Sequence, residues 1–170
     1  MDPARALIHG GGGGVGHVAI QIAKALGAHV IATASEAKRE FVRQLGADEI
    51  IDYKSVDFTR VVRDADVVLD VIGQGYAERS LQSLRPGGLL ITAVERTSSE
   101  LPKMAASSGR RFAGVAVEPD YPALERLAAL VEAGKLRPYV ERVLPLEQIA
   151  DAHTLIERGT TQGKIVLSVA

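Results

Sequence analysis

The sequence predicts an α/β protein with a doubly wound parallel sheet in three layers, and three observations lead to that class. Short apolar runs alternate with stretches whose apolar residues recur at helical spacing. Five consecutive glycines, residues 10–14, lie between the first apolar run and the first helical stretch. Only 4% of the 170 residues are aromatic, although 46% are hydrophobic. The core is therefore aliphatic, as in parallel sheets that helices cover on both faces.

Strands and helices alternate over residues 4–132. The predicted strands are Ala4–Ile8, Ala28–Ala34, Asp48–Asp52, Asp66–Ile72, Leu89–Val94 and Phe112–Val117. The predicted helices are Val15–Leu26, Glu36–Leu45, Val56–Arg63, Tyr76–Leu84, Leu101–Ser107 and Tyr121–Glu132. Gly27 and Gly46 end the first two helices, and residues 86–88 (PGG) mark a turn before the fifth strand. Right-handed crossovers place the first strand centrally and a ligand at the carboxyl ends of the strands.

The alternation stops after Gly134. Residues 136–144 look extended, Leu146–Arg158 form an amphipathic helix, and Lys164–Val169 form a last strand. This strand has no place in a six-stranded sheet, so we expect it to pack differently or to be poorly ordered. The length fits one dinucleotide-binding domain, residues 1–170, with 136–170 as its tail. Residues 1–3 are expected to be a leader, because the first strand follows them directly.

The glycine run fits the dinucleotide-binding spacing G-x-G-x-x-G in one register, Gly11, Gly13 and Gly16. Gly11 allows the tight turn after the strand, Gly13 lets a pyrophosphate approach the backbone, and Gly16 lets the helix pack closely on the sheet. Unpaired amides at the helix start, near Gly14 and Val15, then face the phosphates. The alternative is a merely flexible loop. The strand before the loop and the helix after it favour a nucleotide site.

Composition excludes several classes of protein. The net charge of −1 lacks the basic excess that nucleic acid or an anionic membrane needs. There is no cysteine, which excludes disulfides and thiolate metal sites, and the four histidines have no metal-ligand spacing. No signal peptide or apolar run long enough to span a bilayer is visible. We therefore expect a cytoplasmic protein whose chain holds no zinc.

Five short segments together carry a family resemblance. They are His9–Gly16 (HGGGGGVG), Lys24–Ala28 (KALGA), Leu45–Asp48 (LGAD), Leu84–Gly88 (LRPGG) and Gly163–Leu167 (GKIVL). The set resembles the cofactor half of medium-chain dehydrogenases/reductases, and its last two members resemble the NADPH:quinone oxidoreductase branch. The resemblance implies a Rossmann fold. It also implies a GroES-like catalytic domain, not contained in this sequence, to which the last strand returns, so we expect a fragment or an excised domain.

Residues at the end of the second strand decide between the two nicotinamide cofactors, because an acid there binds the ribose 2′-hydroxyl and repels a 2′-phosphate. The strand ends without an acid, from Thr33 to Ser35, and Lys38 and Arg39 follow. A hydroxyl with two cations suits NADPH rather than NADH. Related reductases also place a tyrosine after the third strand, which Tyr53 matches. The alternative is that the two cations form a solvated helix face and the tyrosine only packs.

By the same resemblance, Ile72, Gly73 and Val94 border the nicotinamide and its ribose, unless they are simply packed strand ends. The predicted cofactor-binding residues are thus Gly11, Gly13, Gly14, Val15, Gly16, Thr33, Ser35, Lys38, Arg39, Tyr53, Ile72, Gly73 and Val94. No catalytic residue is visible. His9 is expected to be a structural, hydrogen-bonded histidine, and Lys164 to be a solvent-exposed lysine.

The resemblance implies the NADPH-binding domain of a reductase that transfers hydride to a quinone or an enone. Such a chain alone would bind cofactor without turnover, because a small-molecule substrate binds only with the missing domain. Two alternatives stay open: a freestanding nucleotide-binding or redox-sensing module, and a fragment of a zinc-dependent alcohol dehydrogenase. Family members commonly dimerise through the edge strand, here residues 112–117, so we expect a homodimer.

Overall fold

A computed structural model describes residues 3–169. Its first six strands are β1 (Arg5–Ile8), β2 (His29–Ala34), β3 (Glu49–Asp52), β4 (Ala65–Asp70), β5 (Leu84–Thr92) and β6 (Arg111–Gly114). The helices between and after them are α1 (Gly16–Ala25), α2 (Arg39–Gln44), α3 (Phe58–Val61), α4 (Tyr76–Ser80), α5 (Glu100–Ser107) and α6 (Tyr121–Glu132). The strands form one parallel sheet in the order β3-β2-β1-β4-β5-β6, which confirms the predicted fold class.

Helices cover both faces of this sheet. Leu7 and Ile8 are successive residues of β1 and belong to different apolar clusters, because neighbouring side chains of a strand point to opposite faces. Ile20 of α1 completes the cluster around Ile8. Phe58 of α3 and Leu101 of α5 complete the cluster around Leu7. The molecule therefore has three layers, with the central strands buried between helices.

The order of strands reverses at β1. This strand pairs with β2 on one side, where Ala6 lies opposite Val30, and with β4 on the other, where Ala6 lies opposite Val67. Chain connections leave β1 and β4 in opposite directions, so a crevice opens between them at the carboxyl edge. The fold thus provides a ligand crevice directly beside the loop that follows β1.

Several elements differ from the prediction, among them α3, which spans only Phe58–Val61 of the predicted Val56–Arg63. β5 begins at Leu84 and includes residues 86–88, which were predicted to form a turn before it. Its pairing with β4 moves from Ala65 opposite Leu84 to Val67 opposite Leu89, so these residues form a bulge. A local glycine-proline signal does not distinguish a bulge within a strand from a turn before it. In addition, α4 ends at Ser80 and β6 ends at Gly114, each earlier than predicted.

The tail forms a second, two-stranded parallel sheet beside the first. Its strands are β7 (Val140–Pro145) and β8 (Lys164–Ser168), joined by α7 (Ile149–Glu157). The last strand therefore packs outside the six-stranded sheet, as expected. Met1 and Asp2 of the expected leader lie outside the described residues. Within residues 3–169, no helix is long and apolar enough to cross a membrane.

Candidate functional site

The loop between β1 and α1 turns so tightly that it requires glycine. Gly10 has φ +66, and its carbonyl accepts a hydrogen bond of 2.9 Å from the amide of Gly13. A Cβ on Gly16 would lie 2.2 Å from the carbonyl oxygen of Gly10, which no real structure tolerates. The start of α1 therefore lies close under the loop, and Gly13 and Gly14 add no side chain of their own above it. This cradle fits a pyrophosphate, which needs close contact with backbone amides.

A cleft of about 480 Å³ opens beside this loop, at the carboxyl ends of β1, β2 and β4. Its walls come from the glycine loop, the ends of three strands, the start of α4 and the tail. They consist of Gly10, Gly12, Gly13, Gly14, Val15, Gly16, Thr33, Ala34, Ser35, Lys38, Tyr53, Val71, Ile72, Gln74, Tyr76, Gly159 and Lys164. The cleft thus occupies the crevice where doubly wound sheets bind their ligands.

Most of the predicted cofactor-binding residues meet in this cleft. They are Gly13, Gly14, Val15, Gly16, Thr33, Ser35, Lys38, Tyr53 and Ile72. Gly11 lies beneath the loop, where an added Cβ would be 3.0 Å from that of Ala32. Gly73 and Val94 contact each other outside the cleft, since a Cβ on Gly73 would lie 2.9 Å from Val94. Arg39 also lies outside it.

The two cations after β2 have different surroundings. Lys38 lines the cleft, and its Nζ donates hydrogen bonds to the carbonyls of Gly159 at 3.2 Å and Thr161 at 2.6 Å. Burial lowers the pKa of Lys38. Arg39 turns away, and its Nε donates to the carboxylate of Glu36 at 2.7 Å. Of this pair, the structure therefore brings only Lys38 to the cleft.

Asp70 organises the loop after β4. Its buried carboxylate accepts hydrogen bonds from the amides of Ile72 at 2.9 Å and Gly73 at 3.2 Å. Gly73 and the next residue, Gln74, both have positive φ, at +73 and +56. The carboxylate thus stabilises a backbone turn that carries Ile72 and Gln74 into the cleft wall.

His9 connects two walls of the cleft from below. It is fully buried, with Nδ1 3.2 Å from Thr33 Oγ1 and Nε2 3.0 Å from Ser80 Oγ. Ser80 donates its own proton to the carbonyl of Tyr76 at 2.6 Å, so Nε2 must donate to Ser80. In the neutral ring Nδ1 then carries no proton and accepts from the hydroxyl of Thr33, whose Oγ1 also accepts from the amide of Gly10 at 3.2 Å.

This network requires a neutral imidazole. Burial, together with a smaller repulsion by Arg79, lowers the pKa of His9 to about 3. The ring also packs edge-on against Phe58 and Tyr76, with centroids 4.5 and 5.1 Å away. The prediction that His9 is a structural, hydrogen-bonded histidine is therefore confirmed.

The sequence analysis did not select eight residues of the cleft wall. They are Gly10, Gly12, Ala34, Val71, Gln74, Tyr76, Gly159 and Lys164. The first six adjoin segments that it did identify, so extending each segment by a few residues would have found them. Gly159 and Lys164 come from the tail, and no local signal connects them with the glycine loop. Lys164 is exposed as predicted, yet its Nζ would lie 3.2 Å from a Cβ on Gly14.

The cleft has a positive electrostatic character. Lys38 and Lys164 line it, whereas no acidic side chain of residues 3–169 does. In the same part of the chain, no group of three or more His, Cys, Asp or Glu side chains could hold a metal ion. A larger groove, of about 970 Å³, lies between α1, α2 and residues 134–140, away from the glycine loop. The smaller cleft alone combines glycine cradle, cations and strand ends, so we assign the candidate site to it.

Comparisons with known proteins lead to one family. The family model for zinc-binding dehydrogenases matches residues 45–167, and the model for the C-terminal domain of alanine dehydrogenase/PNT matches residues 1–74. The mitochondrial NAD(P)H oxidoreductase RTN4IP1 of Mus musculus is 34% identical over 97% of this chain and 48% of its own length. The quinone oxidoreductase of Sus scrofa is 34% identical over 95% of this chain and 53% of its own length. The chain thus spans about half the length of the curated relatives it matches.

Solved structures share the fold. The quinone oxidoreductase from Coxiella burnetii superposes with a TM-score of 0.91 at 34% identity, over 98% of this chain and 53% of its own. An NAD-dependent alcohol dehydrogenase superposes with a TM-score of 0.87 at 35% identity, over 99% of this chain and 52% of its own. The chain therefore belongs to the zinc-binding dehydrogenase family and has the Rossmann-type cofactor-binding fold of a quinone oxidoreductase-like medium-chain dehydrogenase/reductase.

Proposed function

We propose that the chain binds NADPH in this cleft and is the cofactor-binding part of a reductase that transfers hydride to a quinone or an enone. The observation that carries the proposal is the chemistry of the adenosine side of the cleft. Ser35, Lys38 and Tyr53 meet there, and no acid of the described residues lines it. An acid after β2 would repel a 2′-phosphate, whereas hydroxyls and an ammonium can donate hydrogen bonds to it.

Lys38 retains one hydrogen bond for such a phosphate. An ammonium has three protons, and this one donates two of them to the carbonyls of Gly159 and Thr161. Those two bonds also orient the side chain along the cleft wall. The remaining proton and the positive charge favour the dianionic 2′-phosphate over a neutral 2′-hydroxyl.

The other residues hold the rest of the dinucleotide. The amides of the glycine loop and the start of α1 bind the pyrophosphate, and Lys164 beside Gly14 adds positive charge. Ile72, after β4, borders the nicotinamide side of the cleft, and Gly73 and Val94 lie next to it outside the cleft wall. When bound, the nicotinamide supplies a hydride from C4, and the protein supplies position and electrostatics.

Names of relatives support an electron-poor alkene or quinone as hydride acceptor. They include a 2-methylene-furan-3-one reductase of Solanum lycopersicum, 34% identical, and a 2-haloacrylate reductase, 30% identical. Both named substrates, like a quinone, carry a carbon–carbon double bond conjugated with a carbonyl or carboxylate group. Because the relatives are about twice as long, we propose that their remaining half supplies the substrate site and that this chain alone binds cofactor without turnover.

Fluorescence titration with NADPH and NADH tests the cofactor assignment, and the chain has no tryptophan to interfere. We expect the wild type to bind NADPH about tenfold more tightly, the value of roughly one charge-assisted hydrogen bond. Ser35→Asp adds a carboxylate at the end of β2, so NADPH binding should weaken about tenfold while NADH binding is kept.

Arg39→Gln is the matched control for this titration. It changes the net charge by the same single unit as Ser35→Asp, but Arg39 lies outside the cleft in an ion pair with Glu36. Its cofactor selectivity should equal that of the wild type. Equal affinity of the wild type for both cofactors would contradict the NADPH assignment, and lost selectivity in Arg39→Gln would place the phosphate elsewhere.

A second candidate is the coenzyme domain of an alcohol dehydrogenase. The superposition on an NAD-dependent alcohol dehydrogenase, at 35% identity, favours it. This candidate predicts a preference for NADH in the same titration.

A further inference from the structure

One buried side chain of α1, His17, connects the glycine loop with the tail. Its Nδ1 lies 2.9 Å from the carbonyl oxygen of Gly13, and its Nε2 lies 3.1 Å from the backbone nitrogen of Tyr139. The side chain is fully buried and does not line the cleft. It therefore lies behind the loop, between the pyrophosphate cradle and a segment more than 120 residues later in the chain.

The two contacts determine the tautomer of His17. A backbone nitrogen is always a donor, so Nε2 accepts the proton of Tyr139 and carries none itself. Nδ1 then carries the proton and donates it to the carbonyl of Gly13. The same carbonyl accepts the backbone amide of His17 at 3.2 Å. A protonated ring would place two donors opposite each other at Tyr139, so this link needs the neutral form.

The tail closes the connection back to the loop. The carbonyl of Tyr139 accepts the amide of Lys164 at 2.9 Å, and the amide of Gly163 donates to the carbonyl of Gly12 at 3.1 Å. Lys164 Nζ then lies beside Gly14, near the position of its missing Cβ. Loop, histidine and tail thus form a closed series of hydrogen bonds, which ends with an ammonium group beside the pyrophosphate cradle.

A second side chain on the same face of α1 holds the same tail segment. Gln21, one helical turn after His17, accepts the amide of Arg137 at 2.9 Å and donates to its carbonyl at 3.1 Å. Its Nε2 also donates to the carbonyl of His17 at 2.9 Å. Residues 137–139 are therefore docked on α1 by two polar side chains at i and i+4, and apolar packing alone does not explain their place.

We infer that His17 is a positioning residue for the dinucleotide, holding Tyr139, and through it Lys164, against the glycine loop. The residue touches no cofactor itself. The inference rests on the proposed function, because it assumes that the pyrophosphate lies beside Gly14. In this view the tail is part of the cofactor site, since the segment that leads into β8 forms one wall of the cofactor cleft.

Two variants of His17 separate its hydrogen bonds. His17→Asn keeps a donor near the Nδ1 position for Gly13 but cannot reach the amide of Tyr139. His17→Gln places an oxygen near the Nε2 position and keeps the bond to Tyr139. On the full chain we would measure NADP⁺ and NAD⁺ affinities by calorimetry and amide hydrogen exchange by NMR without cofactor.

The positioning role predicts a specific pattern. In His17→Asn, the amides of Tyr139, Gly163 and Lys164 should exchange about tenfold faster, because the loss of one hydrogen bond favours local opening. Cofactor affinity should fall about fivefold to tenfold. His17→Gln should restore both properties. Exchange at Val30, in the centre of the sheet, should be the same in all three proteins.

Other outcomes overturn the inference in distinguishable ways. Wild-type affinity and exchange in His17→Asn would show that the link does not position the tail. An equal loss of cofactor affinity in both variants, together with faster amide exchange at Val30, would show that His17 acts through core packing. Absence of NADP⁺ and NAD⁺ binding by the wild type would instead count against the proposed function, while the exchange data would still report whether His17 docks the tail.

Discussion

Gly16 shows at the scale of one residue how a missing side chain makes the cofactor cradle. Its Cα lies so close to the turn that a Cβ would overlap the carbonyl oxygen of Gly10 at 2.2 Å. A backbone atom cannot move away as a side chain can, so α1 itself would have to shift. The same residue that allows the helix to pack therefore also determines where the helix presents its amides.

Gly16→Ala should lower the free energy of unfolding by about 1–3 kcal/mol, the usual cost of overpacking, and should abolish measurable NADPH binding. Urea denaturation and the fluorescence titration measure the two effects. Gly12→Ala is the control for stability alone, because its Cβ would meet the flexible side chain of Lys38 at 2.8 Å, which can move but belongs to the proposed cofactor site. An unaffected Gly16→Ala protein would contradict the close approach of α1 to the loop.

His9 gives the protein a pH dependence of stability. Burial lowers its pKa to about 3, whereas an unfolded histidine has a pKa of about 6.5. Below pH 6.5, His9 is therefore protonated in the unfolded state but neutral in the folded state. The free energy of unfolding thus decreases as the pH falls towards 3. The pKa values of the Asp48 and Asp66 carboxyls are lowered, so their contribution is lost only below about pH 4.

Urea denaturation between pH 7.5 and pH 5 checks this dependence. We expect constant stability above about pH 7 and a loss of about 1 kcal/mol per pH unit between pH 6 and pH 5. His17 adds to the slope, because burial lowers its pKa as well. In His9→Gln the slope should be smaller, since one of the two titrating groups is gone. A slope that His9→Gln leaves unchanged would assign it to other groups.

At the scale of one element, β6 is the exposed edge of the main sheet and the surface that we propose for dimerisation. Its pairing with β5 extends to the amide of Val115, which donates to the carbonyl of Thr92 at 2.9 Å. Ala116 follows the end of β6, and its amide makes no backbone hydrogen bond to β5. Val117, which follows, is 98% exposed. An unpaired apolar edge of this kind favours pairing with a second copy.

Ala116→Pro tests this pairing because it removes an amide that does not bond to β5 and keeps the bond of Val115 to Thr92. We expect the wild type to sediment as a dimer and the variant as a monomer in analytical ultracentrifugation. Val115→Pro is the contrasting variant, since it breaks the bond to Thr92 within the sheet and should also lower thermal stability. A monomeric wild type would refute the proposed interface.

At the scale of the whole molecule, the main sheet and the tail differ in how completely they are buried. Each of the six strands of the main sheet contributes apolar side chains to one or both of two buried clusters. In the tail, by contrast, Val143 is 61% exposed and Val169 is 77% exposed. We propose that a further domain, corresponding to the other half of the longer relatives, packs on β7 and β8. The chain would then combine a self-sufficient cofactor fold with an interface for substrate-binding parts.

The sequence alone determined the α/β class, the alternation of strands and helices and the glycine cradle. Helix α6 has the predicted bounds, Tyr121–Glu132, because its apolar period, its Asp120 cap and the following glycine are all local signals. The loop was predictable for the same reason, since the turn and the close approach of Gly16 depend on a few consecutive residues.

The tertiary structure decided which residues share the cleft. Lys38 and Arg39 are neighbours with equal charge, yet only Lys38 reaches it, because the 3₁₀ turn before α2 rotates the two side chains in different directions. Lys164 comes from the far end of the chain through hydrogen bonds to Tyr139. Such long-range hydrogen bonds leave no periodic pattern in the sequence, because they depend on how the folded helices and strands pack against each other. Local chemistry therefore determined the elements, and packing decided the site that they form.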